Sequence, residues 1–480
     1  MIRAARFLVI LFLLNTGVHS QSKPKWKSVF QLVNNEVEQN AAAYHTLREA
    51  TNNIGARLTG SIQGSQAETY THDLLQSYGL PVRYEPFEAE GWSRGSLNLT
   101  INGKEYKAVS LAHSPVESNV SANLVDMGNG LKDDYLNHPE AAMGKIVLAS
   151  LGLLPGSAKG LQNLHRSEKT ALAIQYGAKG IIFFNAAPGG ILLTGTASVT
   201  GMLISIPALC IGKEDGLQLK KQMETASLRA SINMTNFSGK ITARNVIATL
   251  KGKTKSDEKI VIGAHLDSWD LATGAIDNGI GAFSVIDIAR TFQALNLQPQ
   301  RTIEFVLFMG EEQGLLGSKA YIKKTLEDSS GGQIRYMLNL DMSNDPKGYS
   351  ATTEDDKLLF NAIGSIANSI DTSFTSSFSS GFGLHSDHQP FMLQGIPTAG
   401  VSGSLSREVL NCYHADCDVF SWVNEREMKN TVRFTAMLLY GLADSEALNA
   451  KQLKDNELEE ALIKSHLKEA LQTSGDWRWN

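Results

Sequence analysis

Cysteine is scarce, with three in 480 residues, an odd number too small for a disulfide-framework protein. Proline is ordinary at 12, and the 42 glycines follow no three-residue period, which excludes collagen-like and mucin-like chains. Charged residues reach only 19% against 42% hydrophobic. The chain therefore holds apolar material for more than one core and is not a solvated coil. There is no basic surplus: 44 Lys+Arg minus 49 Asp+Glu gives −5, so nothing is available to neutralise a phosphate backbone and no nucleic acid is expected as partner. No internal repeat occurs, and no serine sits in a nucleophile-elbow pattern.

What is present begins with an export signature over residues 1–20. Arg3 and Arg6 precede the run Phe7–Leu14, too short to span a bilayer, and Val18-His19-Ser20 suits cleavage before Gln21. With no second long apolar stretch, no stable membrane anchor is expected; the mature protein is expected to be secreted or periplasmic, with a lysosome as another compartment. Cys412 and Cys417 are placed to close a small loop in an oxidising compartment, leaving Cys210 free; two thiolate metal ligands are the alternative. Sequons stand at Asn98, Asn119, Asn233 and Asn236.

At about 150 residues per domain the length suggests roughly three units. Residues 21–108 open with helical spacing from Ser28 to Ala50, then a Gly-marked turn at Gly55–Ser61, a helix over Ser65–Tyr78 and extended pieces at Val82–Phe87 and Ser96–Ile101. Residues 109–240 change to short β-rich pieces with one helix, Ser167–Tyr176, and a Gly/Thr/Ser-rich loop, 186–200. That segment is expected to shape a site rather than do chemistry, with Pro188–Thr200 as a specificity rim. Residues 241–447 alternate strand and helix, which predicts an α/β fold: a three-layer α/β/α domain around a mixed, largely parallel sheet. Residues 448–480 carry an amphipathic helix over Leu453–Leu471, read as packing or a subunit contact, the latter compatible with a homodimer.

Ligand-type residues fall where these strands end. His265 and Asp267 follow Ile260–Gly263; Asp277 lies in Gly274–Asn278; Glu311 and Glu312 follow Thr302–Phe308; Asp341 follows Asn339-Leu340; His414 precedes Asp418. Ligands of such sheets gather beyond the carboxyl ends of the strands. Two imidazoles and three carboxylates in one pocket would repel and suffer desolvation unless divalent cations compensate, and zinc accepts this N/O mixture. A zinc pair needs one bridging carboxylate and two terminal ligands per metal. That inventory is met, with one carboxylate left as a base.

The stretches Gly263–Asp270, Glu311–Ser318, Asn339–Met342 and Tyr413-His414 with Asp418 resemble the zinc exopeptidase family with two co-catalytic metals, which contains aminopeptidases and glutamate carboxypeptidases, and look most like its carboxypeptidase Q-like branch. The resemblance implies that 109–240 is an inserted protease-associated domain. It further implies two Zn2+ per subunit: His265 and Asp341 as terminal ligands of one, Glu312 and His414 of the other, Asp277 bridging. It makes Glu311 the general base and Asp267 the partner of the far nitrogen of His265, with Asp418 serving His414 in the same way. The implied activity is exopeptidase hydrolysis of dipeptides or short peptides, in the carboxypeptidase manner or, alternatively, as an aminopeptidase; an inactive receptor on the same fold is the other alternative. Ser386-Asp387-His388 reads as substrate rim or helix cap. Tyr413 reads as packing or an oxyanion donor. Asn278 departs from the family pattern, in which an acid often stands there.

Overall fold

The computed structural model describes residues 23–328 and 332–479; the export signature lies outside them. Strand Lys255–His265 is central. Its run Ile260–Ala264 is buried on both faces, as a strand flanked by parallel neighbours must be. Arg301–Phe308 and Gln333–Asn339 pair with it in parallel on either side. Thr398–Ser402 continues in parallel beyond the latter, while Gly348–Ala351 and the long strand Arg229–Leu250 join antiparallel. Side chains of one strand alternate between faces. Ile260, Ile262 and Ala264 accordingly enter a core with Phe30, Phe283, Phe292, Val432 and Leu439 from helices Lys23–Asn40, Ile280–Ala294 and Glu425–Asp444. Val261 enters the opposite core with Tyr321, Ile322 and Phe391 from helices Leu316–Glu327 and His388–Met392. This is the expected three-layer arrangement.

A second unit is inserted through a two-stranded ribbon. Val82–Ile101 and Arg229–Leu250 pair antiparallel from Val82↔Ala248 to Ile101↔Ala230. Beyond it, Glu117–Asp126, Ile146–Ser150, Gly180–Phe184 and Ala208–Ile211 form parallel pairs around their own cores. Two short extended pieces had been expected where one strand, Val82–Ile101, runs through. The interrupting glycines, Gly91 and Gly95, do not end it. They give room for close approach: an added Cβ would lie 2.7 Å from the Ile241 side chain or 2.4 Å from the Thr235 carbonyl oxygen.

Two expected single helices are each divided. Ser28–Ala50 becomes Lys23–Asn40 and Ala43–Asn53, because Asp287 Oδ2 accepts hydrogen bonds from the backbone N–H groups of Ala42 and Ala43 at 2.9 and 3.1 Å, supplying the acceptor that a helix start lacks. The tail becomes Asp455–Lys464 and Lys468–Ser474, separated where His466 takes a φ of +60°. Among the described residues no helix is long and apolar enough to cross a membrane. Cys412 and Cys417 are joined in a disulfide, and Cys210 is buried and free.

Candidate metal centre

The strand ends bring the scattered acids and imidazoles together. His265 is the last residue of its strand, and Leu266 N donates to Phe308 O at 2.7 Å, aligning the ends of the two strands. From there the chain after Phe308 turns through Glu311–Leu315 before helix Leu316–Glu327, which lets two consecutive glutamates both line one cavity. Asp341 lies two residues past strand Gln333–Asn339. The loop carrying Asp277 is fixed by Asp418, whose carboxylate accepts from Ile276 N at 2.8 Å and Asp277 N at 3.0 Å.

Asp277 stands between the two imidazoles. Its Oδ1 is 3.3 Å from His265 Nε2, and its Oδ2 is 2.9 Å from His414 Nε2. The same nitrogen of His265 faces Asp341 Oδ1 at 3.4 Å; that of His414 faces Glu312 Oε2 at 3.0 Å. Ligand atoms of His265, Asp277 and Glu312 all lie within 4.8 Å of one another. Each imidazole thus presents one nitrogen, with at most one proton, to two carboxylates, and Glu312 Oε1 is buried with no hydrogen-bond partner. A donor set this rich in oxygen and poor in protons fits divalent cations.

The electrostatics reflect the crowding. Burial works to raise Asp277, but hydrogen bonds from His265 and His414 outweigh it and hold its carboxyl below the usual range. Burial is the largest cause that pushes Glu311 well up; His265 opposes it, and Asp341 and Glu312 add to it. Burial disfavours the charged form of His265, yet Glu311 and Asp341 raise it well above its ordinary value.

Two expected pairings are corrected. His265 Nδ1 lies 3.1 Å from the backbone carbonyl of Asp267, while the Asp267 carboxylate, 3.7 Å away, instead accepts from Glu311 N at 3.2 Å. Asp267 therefore positions the loop that carries Glu311. Likewise Asp418 holds the Asp277 backbone, and His414 Nδ1 is met by Arg166 Nη2 at 3.0 Å. Spacing brought both acids near the imidazoles, but which atom a chain two or four residues away presents depends on how it turns.

Asn278 has a specific task at its departure from the family pattern. Its amide donates to Leu340 O at 2.8 Å and accepts from Gly281 N and Met342 N at 3.2 and 3.1 Å, clasping the segment that bears Asp341. A carboxylate could not donate the first of these. Gly281 permits the approach, since a Cβ would lie 2.2 Å from Asn278 Oδ1. Ser386 Oγ donates to Asp341 Oδ2 at 2.6 Å, so this serine holds a candidate ligand. Asp387 precedes helix His388–Met392 without capping it, and burial raises its carboxyl to about 7. Tyr413 stacks on His414 at 3.8 Å and lines the cavity.

Arg57 and Arg166 were not foreseen. Fully buried, Arg57 donates to the carbonyls of Leu266, Thr273 and Gly274 at 2.6, 2.7 and 2.9 Å, pinning both loops under the site. Nothing but the Gly-marked turn Gly55–Ser61 signalled it. Arg57→Met should cost at least ~3 kcal/mol, because three buried carbonyls lose charged donors; thermal unfolding followed by circular dichroism checks this, and an unchanged midpoint would contradict it.

Fold and site together define a hydrolase-type catalytic domain whose chemistry sits at the carboxyl ends of a largely parallel sheet, beneath a smaller inserted domain. Residues 245–439 match the model of peptidase family M28, and residues 120–219 match the PA domain model. Over these two stretches the chain is similar to an M28 peptidase domain and to a PA domain, the second preceding the first. It is 26% identical over 416 residues to aminopeptidase YwaD of Bacillus subtilis, covering 84% of this chain and 85% of that protein. It is 28% identical over 322 residues to a probable leucine aminopeptidase 2 of Arthroderma benhamiae, covering 65% of this chain and 61% of the relative, so it spans about three fifths of that relative's length. The crystal structure of a peptidase M28 precursor from Shewanella amazonensis superposes with a TM-score of 0.76 at 24% identity, covering 90% of this chain and 100% of that one.

Proposed function

We propose that the protein is a zinc-dependent aminopeptidase acting on short peptides. The observation that carries this is Asp277, whose two carboxylate oxygens each face the imidazole of a separate His–carboxylate pair. That arrangement suits a carboxylate shared by two cations, with His265 and Asp341 on one side and Glu312 and His414 on the other. Bound zinc supplies Lewis acidity, acidifying water and stabilising the negative charge that develops on the scissile carbonyl. Glu311, lining the same cavity, takes the proton of the attacking water and returns it to the departing amine. Asp267 holds the Glu311 backbone for that transfer. Aminopeptidase is preferred over the carboxypeptidase Q-like reading because the relatives that span most of this chain are named aminopeptidases. Export belongs to the same reading, supported by the residue pattern at 1–20 and by the Cys412–Cys417 disulfide.

The test is a panel of free, N-acetylated and C-amidated dipeptides and tripeptides offered to the zinc-treated protein. Acetylation should abolish cleavage and amidation should leave it detectable, while a chelator should remove activity and added zinc restore it. Cleavage of N-acetylated peptides at undiminished rate would contradict the aminopeptidase reading.

A further inference from the structure

We infer that the Cys412–Cys417 disulfide is a positioning element of the candidate metal centre: by closing the loop that carries His414, it secures the cation on the His414–Glu312 side. This deepens the zinc reading above and rests on its two-cation part. The cysteines stand five residues apart with their Cα atoms 5.1 Å from one another, and His414 lies between them. Asp418 follows directly, with its carboxylate accepting from Ile276 N at 2.8 Å and Asp277 N at 3.0 Å. One short cross-linked segment therefore supplies a ligand to the His414 side and the clamp on the shared Asp277. The sulfurs, bonded to each other, serve the site through the loop and not as metal ligands.

Little else shapes this loop from within. Its turns are closed by Ala415 N to Cys412 O at 3.1 Å and Asp418 N to Ala415 O at 3.2 Å. Within them His414 takes a φ of +53°, in the left-handed region that few non-glycine residues occupy. From outside, the inserted domain meets it twice: Thr194 N donates to His414 O at 2.9 Å, and Arg166 Nη2 faces His414 Nδ1 at 3.0 Å. These contacts grip one carbonyl and one ring nitrogen. The path of the chain on either side is set at the two cysteines. Cys412 is buried, with its N–H on Val409 O at 2.9 Å, and Cys417 O accepts from Val419 N and Trp422 Nε1, both at 3.0 Å. The cross-link ties these two anchored ends together.

The other side of the centre is held by different segments. His265 ends the central strand, Ser386 Oγ donates to Asp341 Oδ2 at 2.6 Å, and Asn278 clasps Leu340 O at 2.8 Å. Opening the loop thus frees His414 and loosens the anchor of Asp277, while His265 and Asp341 keep their supports. Losing a neighbour that orients a ligand costs about 10–100-fold in metal affinity. Freeing a loop this short releases conformers worth a factor on the order of tens.

The experiment is a calorimetric titration of zinc into chelator-treated full chain, wild type and Cys412→Ser/Cys417→Ser. Wild type should take up two zincs. The variant should bind one with wild-type affinity and the other about 10–100-fold more weakly. Should the variant fail to fold, the folded wild type is reduced with tris(2-carboxyethyl)phosphine, to which the partly exposed Cys417 gives access. The S–S bond breaks, each sulfur takes up a proton, and the phosphine becomes its oxide with oxygen from water. Iodoacetamide then blocks the two thiols, and the same selective weakening is expected. Reoxidation of reduced, unblocked protein with oxidised glutathione should restore the second zinc. Unchanged affinities for both zincs after loss of the disulfide would overturn the inference. Equal weakening of both would make the disulfide only a brace of the fold, and would also overturn it. Fewer than two zincs in wild type would refute the two-cation reading and this inference together. Two zincs in wild type without cleavage of any peptide would refute the aminopeptidase reading alone, since the titration decides this inference without turnover.

Discussion

Glu311→Gln should lower kcat by about 10³-fold, within the 10²–10⁴ range of a lost general base, while the protein keeps its zinc. The two glutamates divide by geometry. Glu312 lies 3.0 Å from His414 beside Asp277, whereas Glu311 has its backbone held by Asp267 and its side chain in the cavity, clear of the His414 pair. Glutamine keeps the shape and loses the basic oxygen. Burial raises the Glu311 carboxyl against the opposing charge of His265. Steady-state kinetics with metal analysis of the same sample checks this. A near-normal rate in zinc-replete Glu311→Gln would remove Glu311 from its role.

Asp277→Asn should act on the metal itself. Each oxygen of Asp277 faces a different imidazole, at 3.3 and 2.9 Å. Asparagine offers one oxygen and turns two N–H donors toward the other imidazole, and it removes one of the negative charges that compensates the cations. Loss of a hydrogen-bonded neighbour of a ligand already costs 10–100-fold in affinity. Loss of a shared ligand should exceed about 100-fold, read as at least one zinc missing after dialysis against micromolar metal. Retention of both zincs would contradict the shared position, whatever happened to the rate.

These positions were legible because strand-to-loop boundaries are written locally. Runs such as Ile260–Gly263 and Thr302–Phe308 mark their own ends, and the sheet rule then places His265, Glu311, Glu312 and Asp341 on one edge. Pairings between distant segments were not legible. Arg57 meets carbonyls 209 to 217 residues away, and Arg166 meets His414 across 248 residues; no local pattern encodes either contact. The continuity of strand Val82–Ile101 was not legible either: between the two expected pieces stand Gly91 and Gly95, whose close packing against Ile241 and Thr235 depends on the distant partner strand. Asp267 and Asp418 were placed in the right region with the wrong partner atom.

Anomalous scattering at the zinc edge from crystals of the zinc-treated protein tests the shared role of Asp277 most directly. Two peaks are expected, about 3.5–4 Å apart, flanking the Asp277 carboxylate with His265 and Asp341 at one and Glu312 and His414 at the other. A single peak, or none, at saturating zinc would contradict it.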